Sequence, residues 1–194
     1  MQPKTLLDFA GVALPTARFE DSVLLLIDHQ QEYSAGKLKL PGVEAAVEAI
    51  GRLEAAARKA GAPIVHVAQN GRAGGALFDP EGAMVKFIAG IEPAKDEITV
   101  VKSLPNAFAK TDLDARLKAT GRTDLIIAGF MTHMCVSATT RAALDLGYRT
   151  TVVAEATATR DLPDGTGGVI DAAVVKHVAL AELADRFAKV VPSL

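Results

Sequence analysis

Three residues far apart in this sequence, Asp28, Lys102 and Cys135, have the side chains needed to attack a carbonyl carbon. A carboxylate can take a thiol proton, an ammonium favours the charged forms of both neighbours, and the deprotonated sulfur is the nucleophile. Cys135 is the only cysteine in the chain. It follows the apolar run Asp124-Leu125-Ile126-Ile127-Ala128 and the turn Gly129-Phe130-Met131-Thr132-His133-Met134, and it precedes a helical segment, Val136 to Leu146, that Gly147 ends. Unpaired N–H groups and the positive end of the helix dipole meet at such a junction, so the position predicts a stabilised thiolate. Each residue also has an ordinary reading: an unpaired cysteine as a small buried hydrophobe, a strand-end aspartate as a turn former, a strand-end lysine as a solvated charge. What favours chemistry is that all three follow apolar strands at the same end.

The elements that must position them are legible from hydrophobic patterning. Ser22 to Ile27 is a continuous apolar run, as expected of a parallel strand covered on both faces, and it ends at Asp28-His29-Gln30. Gln31 to Leu40 has loop composition. After Pro41 a helix is predicted to about Ala60, with Val43, Val47, Ile50, Leu53 and Ala57 on one stripe. Strands are predicted from Pro63 to Ala68, Glu97 to Val101 (ending at Lys102), Asp124 to Ala128, and Arg149 to Val153. Thr111 caps a short helix, Asp112 to Ala119. The last helix is expected to align Val169, Ala173, His177, Leu180, Ala184 and Phe187, and Val190-Val191-Pro192 to add an edge strand. Residues 1–21 read as an N-terminal arm. Alternating strands and helices imply an α/β fold of three layers, α/β/α, with a central parallel sheet of five or six strands. The order expected is 3-2-1-4-5-6. Ligands in such sheets bind beyond the carboxyl ends of the strands, where the three residues stand.

Composition narrows the function classes. The chain has 194 residues, is 49% hydrophobic, and carries 21 Lys and Arg against 23 Asp and Glu. That suits a single domain, 1–194, with a substantial core, and gives no electrostatic footprint for nucleic acid. Asp8 and Pro15 interrupt any signal-peptide core, and no apolar run approaches the roughly 18 residues of a membrane span. One cysteine forms no internal disulfide, which fits a reducing compartment, so a cytoplasmic protein with a small-molecule substrate is expected. The glycine-dense segment Gln69 to Ala76 lacks the spacing of phosphate-binding loops and reads as a mobile loop beside a site.

The motifs together resemble the isochorismatase-like cysteine hydrolase superfamily, which includes nicotinamidases, N-carbamoylsarcosine amidohydrolase and isochorismatases. The matching pieces are Leu24 to Gln30, Val101-Lys102-Ser103 with Phe108, Ala128 to Thr139, and Arg141 to Tyr148, within residues 20–190. The resemblance implies Asp28 as general base, Lys102 as its electrostatic partner and Cys135 as nucleophile. It further implies an oxyanion hole from the backbone N–H groups of Met131 and Cys135, a cis peptide between Phe130 and Met131, and assembly into at least a dimer. Gln69, Phe108, Tyr33, His133 and Arg72 are candidate substrate contacts.

The chain departs from some of these relatives. Nicotinamidases hold a metal with an Asp-x-His pair and a further histidine after strand two, where this chain has Gln69-Asn70-Gly71-Arg72. His29, His66, His133 and His177 show no ligand-like spacing, so no metal and no cofactor are expected. Cysteine chemistry on an amide, ureido or carbamoyl C–N bond is the favoured activity. The alternatives are vinyl-ether hydrolysis with Asp28 as acid, and a non-catalytic metabolite-binding domain.

Overall fold

A computed structural model describes residues 2–194. Its centre is β1 (Ser22–Ile27), whose six residues are all buried because Ser-Val-Leu-Leu-Leu-Ile offers no face to water. The remaining strands are β2 (Ile64–Gln69), β3 (Ile98–Lys102), β4 (Asp124–Phe130), β5 (Arg149–Ala158), a two-stranded ribbon of β6 (Leu162–Pro163) and β7 (Val169–Ile170), and β8 (Lys189–Val191). The six-stranded sheet runs β3-β2-β1-β4-β5-β8, all parallel. With the small ribbon taking two numbers, β8 is the sixth strand expected from the sequence.

Side-chain alternation along β1 divides the interior in two. Leu24 and Leu26 enter a core with Ala46, Ile50, Leu53 and Ala57 of α2 (Val43–Ala60). Val23, Leu25 and Ile27 enter another, with α3 (Leu113–Ala119), α4 (Ser137–Asp145) and α5 (Ala172–Arg186). The arm contains α1 (Leu6–Phe9), closed by a Thr5–Asp8 capping box and tied to α5 by the Leu6 N–H donating to Asp185.

Three segments differ from the sequence expectation. Cys135 does not sit at the first turn of an α-helix: Thr132–Val136 forms a π-helical turn, and α4 begins only at Ser137. β5 continues to Ala158, because its pairing with β4 shifts from Ile127↔Val152 to Gly129↔Thr157 and then resumes beyond the irregular stretch. Glu155 interrupts the apolar run there and hid the continuation. In α5 the buried positions are Val175, Ala179 and Leu183; Ala173 and His177 are exposed, and Val169 belongs to the ribbon. Leu180 and Phe187 of the expected stripe do pack against the core, but apolar residues occur on several faces of this helix, with Val174 and Val178 also exposed, so periodicity alone set only part of the stripe.

Gly129 is the tightest point of the sheet beneath Cys135. Its φ is +115°, and a Cβ there would lie 2.0 Å from the carbonyl oxygen of Ile27 on the neighbouring strand. No side chain fits without separating β4 from β1. Gly129→Ala is therefore expected to cost more than about 3 kcal/mol or to prevent folding, measured as the denaturant midpoint of unfolding; a loss below about 1 kcal/mol would contradict this packing.

Candidate active site

Asp28 is the first residue past β1, and its φ of +52° is a left-handed turn that aspartate tolerates better than most residues. Its N–H still donates to Val67 O at 2.8 Å, so the side chain leaves the sheet from a fixed point. The fully buried Gln30 fixes the neighbouring strand: its amide oxygen accepts from Gln69 N–H at 2.8 Å and its amide nitrogen donates to Gln69 O at 2.9 Å. Asn70 N–H in turn donates to Lys102 O at 2.8 Å. The carboxyl ends of β1, β2 and β3 are thus stapled together.

This scaffold makes the Lys102 ammonium a three-way junction. Nζ lies 2.7 Å from Asp28 Oδ2, 2.6 Å from Gln69 Oε1 and 3.3 Å from Cys135 Sγ. The Asp28 and Lys102 side chains are both 0% exposed, and Cys135 is 5% exposed. Among the described residues, no backbone N–H or hydroxyl donates to either Asp28 carboxylate oxygen. Burial pushes the Asp28 carboxyl above its ordinary range, partly offset by Lys102 and by hydrogen bonding to the Cys135 thiol. The peptide bond between Phe130 and Met131 is cis, as the resemblance implied.

Burial first, and then the facing Asp28 charge, push the Cys135 thiol up to about 12, and Lys102 offsets only part of that. The helix end that was to stabilise the sulfur is displaced by the π turn, so the dominant neighbours are a desolvating wall and a carboxylate.

The structure distributes the other candidates unevenly. Gln69 is not free to contact substrate, because its amide oxygen accepts from Lys102 and its nitrogen donates to Asn70 O at 2.9 Å. Its place is behind the lysine. Tyr33 is buried edge-on against Phe78 and Phe130, within electrostatic range of Asp28 and Cys135. His133 is half-buried, with Nδ1 hydrogen-bonded to Thr159 Oγ1, and is kept neutral by burial and by the nearby Arg160 charge. Phe108 stacks on Tyr148 and packs against the core cluster that contains Cys135. Arg72 is exposed in the glycine-dense loop and its side chain pairs with none of the described residues, so the structure does not bring it to the triad. Sequence reasoning missed Gln30 as the clamp and Thr159–Arg160 as neighbours of the site. The latter stand at the end of β5 much as Asp28 stands at the end of β1, a signal that the early stop assigned to β5 concealed.

Residues 22–192 match the isochorismatase domain model. The chain belongs to the isochorismatase family. A crystal structure of an isochorismatase from Pseudomonas putida superposes with a TM-score of 0.94 at 46% identity, covering 98% of this chain and 97% of that one. The secreted isochorismatase effector of Verticillium dahliae is 39% identical over 94% of each chain. Maleamate amidohydrolase of Pseudomonas putida is 32% identical, over 68% of this chain and 70% of its own. The protein is an isochorismatase-family hydrolase.

The charge arrangement has a signed consequence for the thiol. Asp28→Asn removes the negative charge that faces the sulfur, so the pH midpoint for alkylation of Cys135 by iodoacetamide should fall, while Lys102→Met should raise it further. A midpoint that rises in Asp28→Asn would contradict the electrostatics described.

Proposed function

We propose that this family member hydrolyses an amide, ureido or carbamoyl C–N bond of a small molecule through a thioester on Cys135. The observation that carries the reading is the buried contact of one ammonium with both the Asp28 carboxylate and the Cys135 sulfur. Vinyl-ether hydrolysis needs an acid and gives a sulfur at that position no work, whereas acyl transfer uses all three groups. Relatives named for amide hydrolysis support the same direction: the maleamate amidohydrolase above and a ureidoacrylate amidohydrolase of Variovorax paradoxus, 29% identical over 71% of this chain.

In the proposed cycle the substrate carbonyl enters beside Cys135. As sulfur bonds to the carbonyl carbon, the thiol proton passes to Asp28, so the high resting pKa of the thiol is overcome within the addition step. The N–H groups of Met131 and Cys135 receive the developing oxyanion. Asp28 returns the proton to the leaving nitrogen, the C–N bond breaks, and an acyl-thioester remains. Water then attacks that thioester, with Asp28 taking its proton, and the acid leaves as the thiol re-forms. Lys102 stays charged throughout and keeps Asp28 ionised between proton transfers. Gln69 holds the third proton of that ammonium, a positioning role.

No helix among the described residues is long and apolar enough to cross a membrane. The cytoplasm is the compartment we propose, because a reducing environment keeps the single thiol competent. We also propose a homo-oligomer, supported by the exposed Val169, Val174 and Val178 on and beside α5.

The test is turnover on a panel of primary amides, ureido and carbamoyl compounds and isochorismate, followed by ammonia or pyruvate release. Cys135→Ala is expected to lower kcat on the preferred C–N substrate by about 1,000-fold or more. Pyruvate release from isochorismate that survives Cys135→Ala, with no C–N substrate turned over by the parent, would overturn the proposal in favour of vinyl-ether chemistry.

A further inference from the structure

A second group of buried polar residues lies on the opposite face of the sheet. His66 pairs in register with Leu26, whose side chain lies in the core beneath α2, whereas Cys135 belongs to the core on the other side. His29, the residue after Asp28, points into the same region. One ring nitrogen each from His29 and His66 and a carboxylate oxygen of Glu54 lie within 4.8 Å of one another, and all three residues are buried. Linear spacing gave no hint of this. The sheet brings His29, two residues past β1, beside His66 within β2, and α2 lowers Glu54 onto them.

The cluster's hydrogen bonds leave acceptors unpartnered. The Glu97 carboxylate is bound by Arg58 (2.8 and 3.0 Å) and the Ala94 N–H, and it accepts from His66 Nε2 at 2.8 Å. That leaves a lone pair on His66 Nδ1, which stands 3.0 Å from His29 Nε2. If His29 donates across that gap, its own Nδ1 becomes a buried lone pair with no donor, and Glu54 Oε1 is a second one. Two buried acceptors without donors are costly. A metal ion or a proton placed among the three groups resolves both.

We infer that His29, Glu54 and His66 form a binding site for a Zn2+-class divalent metal ion. With the ion bound, the His29 proton sits on Nδ1 and Nε2 becomes a ligand. His66 contributes Nδ1 and Glu54 contributes Oε1. Two nitrogens bound to one ion at about 2.0–2.1 Å stand roughly 3 Å or slightly more apart, close to the separation already present. Two of the ligands have the outer partner that such sites use: Glu97 for His66, at 2.8 Å, and Arg58 for Glu54 Oε2, at 3.4 Å. Two nitrogens and one carboxylate suit zinc, iron or cobalt rather than calcium or magnesium. This position is separate from the segment after β2 where nicotinamidases hold their metal, and the inference does not depend on the proposed hydrolase cycle. The ion would tie α2 to the ends of β1 and β2.

The probe is cobalt, with Cys135→Ser as the parent so that thiol binding does not contribute. Full-length protein is produced in cobalt-supplemented medium and dialysed against metal-free buffer. About one Co2+ per chain is expected by elemental analysis, with visible bands of nitrogen and oxygen ligation that zinc abolishes. Glu54→Gln and His66→Gln should each retain less than about a tenth of it. Glu97→Gln, which keeps all three ligands, should weaken affinity about 10- to 100-fold, and it serves if the ligand variants fail to fold by circular dichroism. A folded Cys135→Ser protein without retained cobalt, or retention unchanged in folded Glu54→Gln or in Glu97→Gln, overturns the assignment and leaves a hydrogen-bonded cluster filled by water.

Discussion

The ammonium of Lys102 is the constraint on which the site depends. It is wholly enclosed, and it meets a carboxylate from the end of β1, an amide oxygen from the end of β2 and a sulfur from the turn after β4. Burying a cation and an anion costs several kcal/mol per ion unless geometry and further hydrogen bonds compensate. Nζ donates to Gln69 Oε1 and Cys135 Sγ and stands 2.7 Å from the Asp28 carboxylate, so Lys102 meets that condition. Asp28 does not: apart from Lys102 and the thiol, it has no donor. An acceptor left under-satisfied beside a thiol is poor structural economy and good base chemistry.

Sheet order makes this junction attainable. Only with β1 between β2 and β4 do a residue after β1, two residues ending β2 and β3, and a turn after β4 converge on one rim. Gln30 and Gly129 then set the tolerances. Gln30 clamps β2 against the β1 end by two hydrogen bonds, and Gly129 lets the strand that carries Cys135 approach the Ile27 backbone more closely than any side chain permits. Both are far from showing catalytic chemistry, yet each fixes where a charged group lands.

Much of this was legible in the sequence because its main signal is simple. The run from Ser22 to Ile27 has no polar face, so it had to be a central strand, and the residue after it had to be placed on the ligand rim. The same logic located Lys102 and Cys135, and the parallel sheet followed from the alternation of elements. What failed depended on partners that a linear reading does not contain. The thiol was read as lowered because a helix start lay nearby, but the local turn is π-helical and the closer charge is Asp28. Gln69 was read as facing substrate, since its commitment to Lys102 depends on a strand pairing. His29 and His66 looked unrelated, because the sheet alone makes them neighbours. In α5, apolar residues on more than one face left the phase of the helix undetermined until it packed.

The two faces of the sheet thus carry different polar work. One holds an ion pair with a sulfur in reach; the other holds two imidazoles and a carboxylate that together lack a donor. The hydrolysis we propose uses only the first, and its central claim is covalent: the sulfur of Cys135 carries the acyl group. The most direct measurement is intact-mass spectrometry of enzyme acid-quenched milliseconds after mixing with a C–N substrate that it turns over. The account predicts an adduct of the acyl mass, mapped by digestion to Cys135, that forms and decays at rates compatible with turnover. Turnover with no adduct at Cys135, or with the acyl group on another residue, would contradict it.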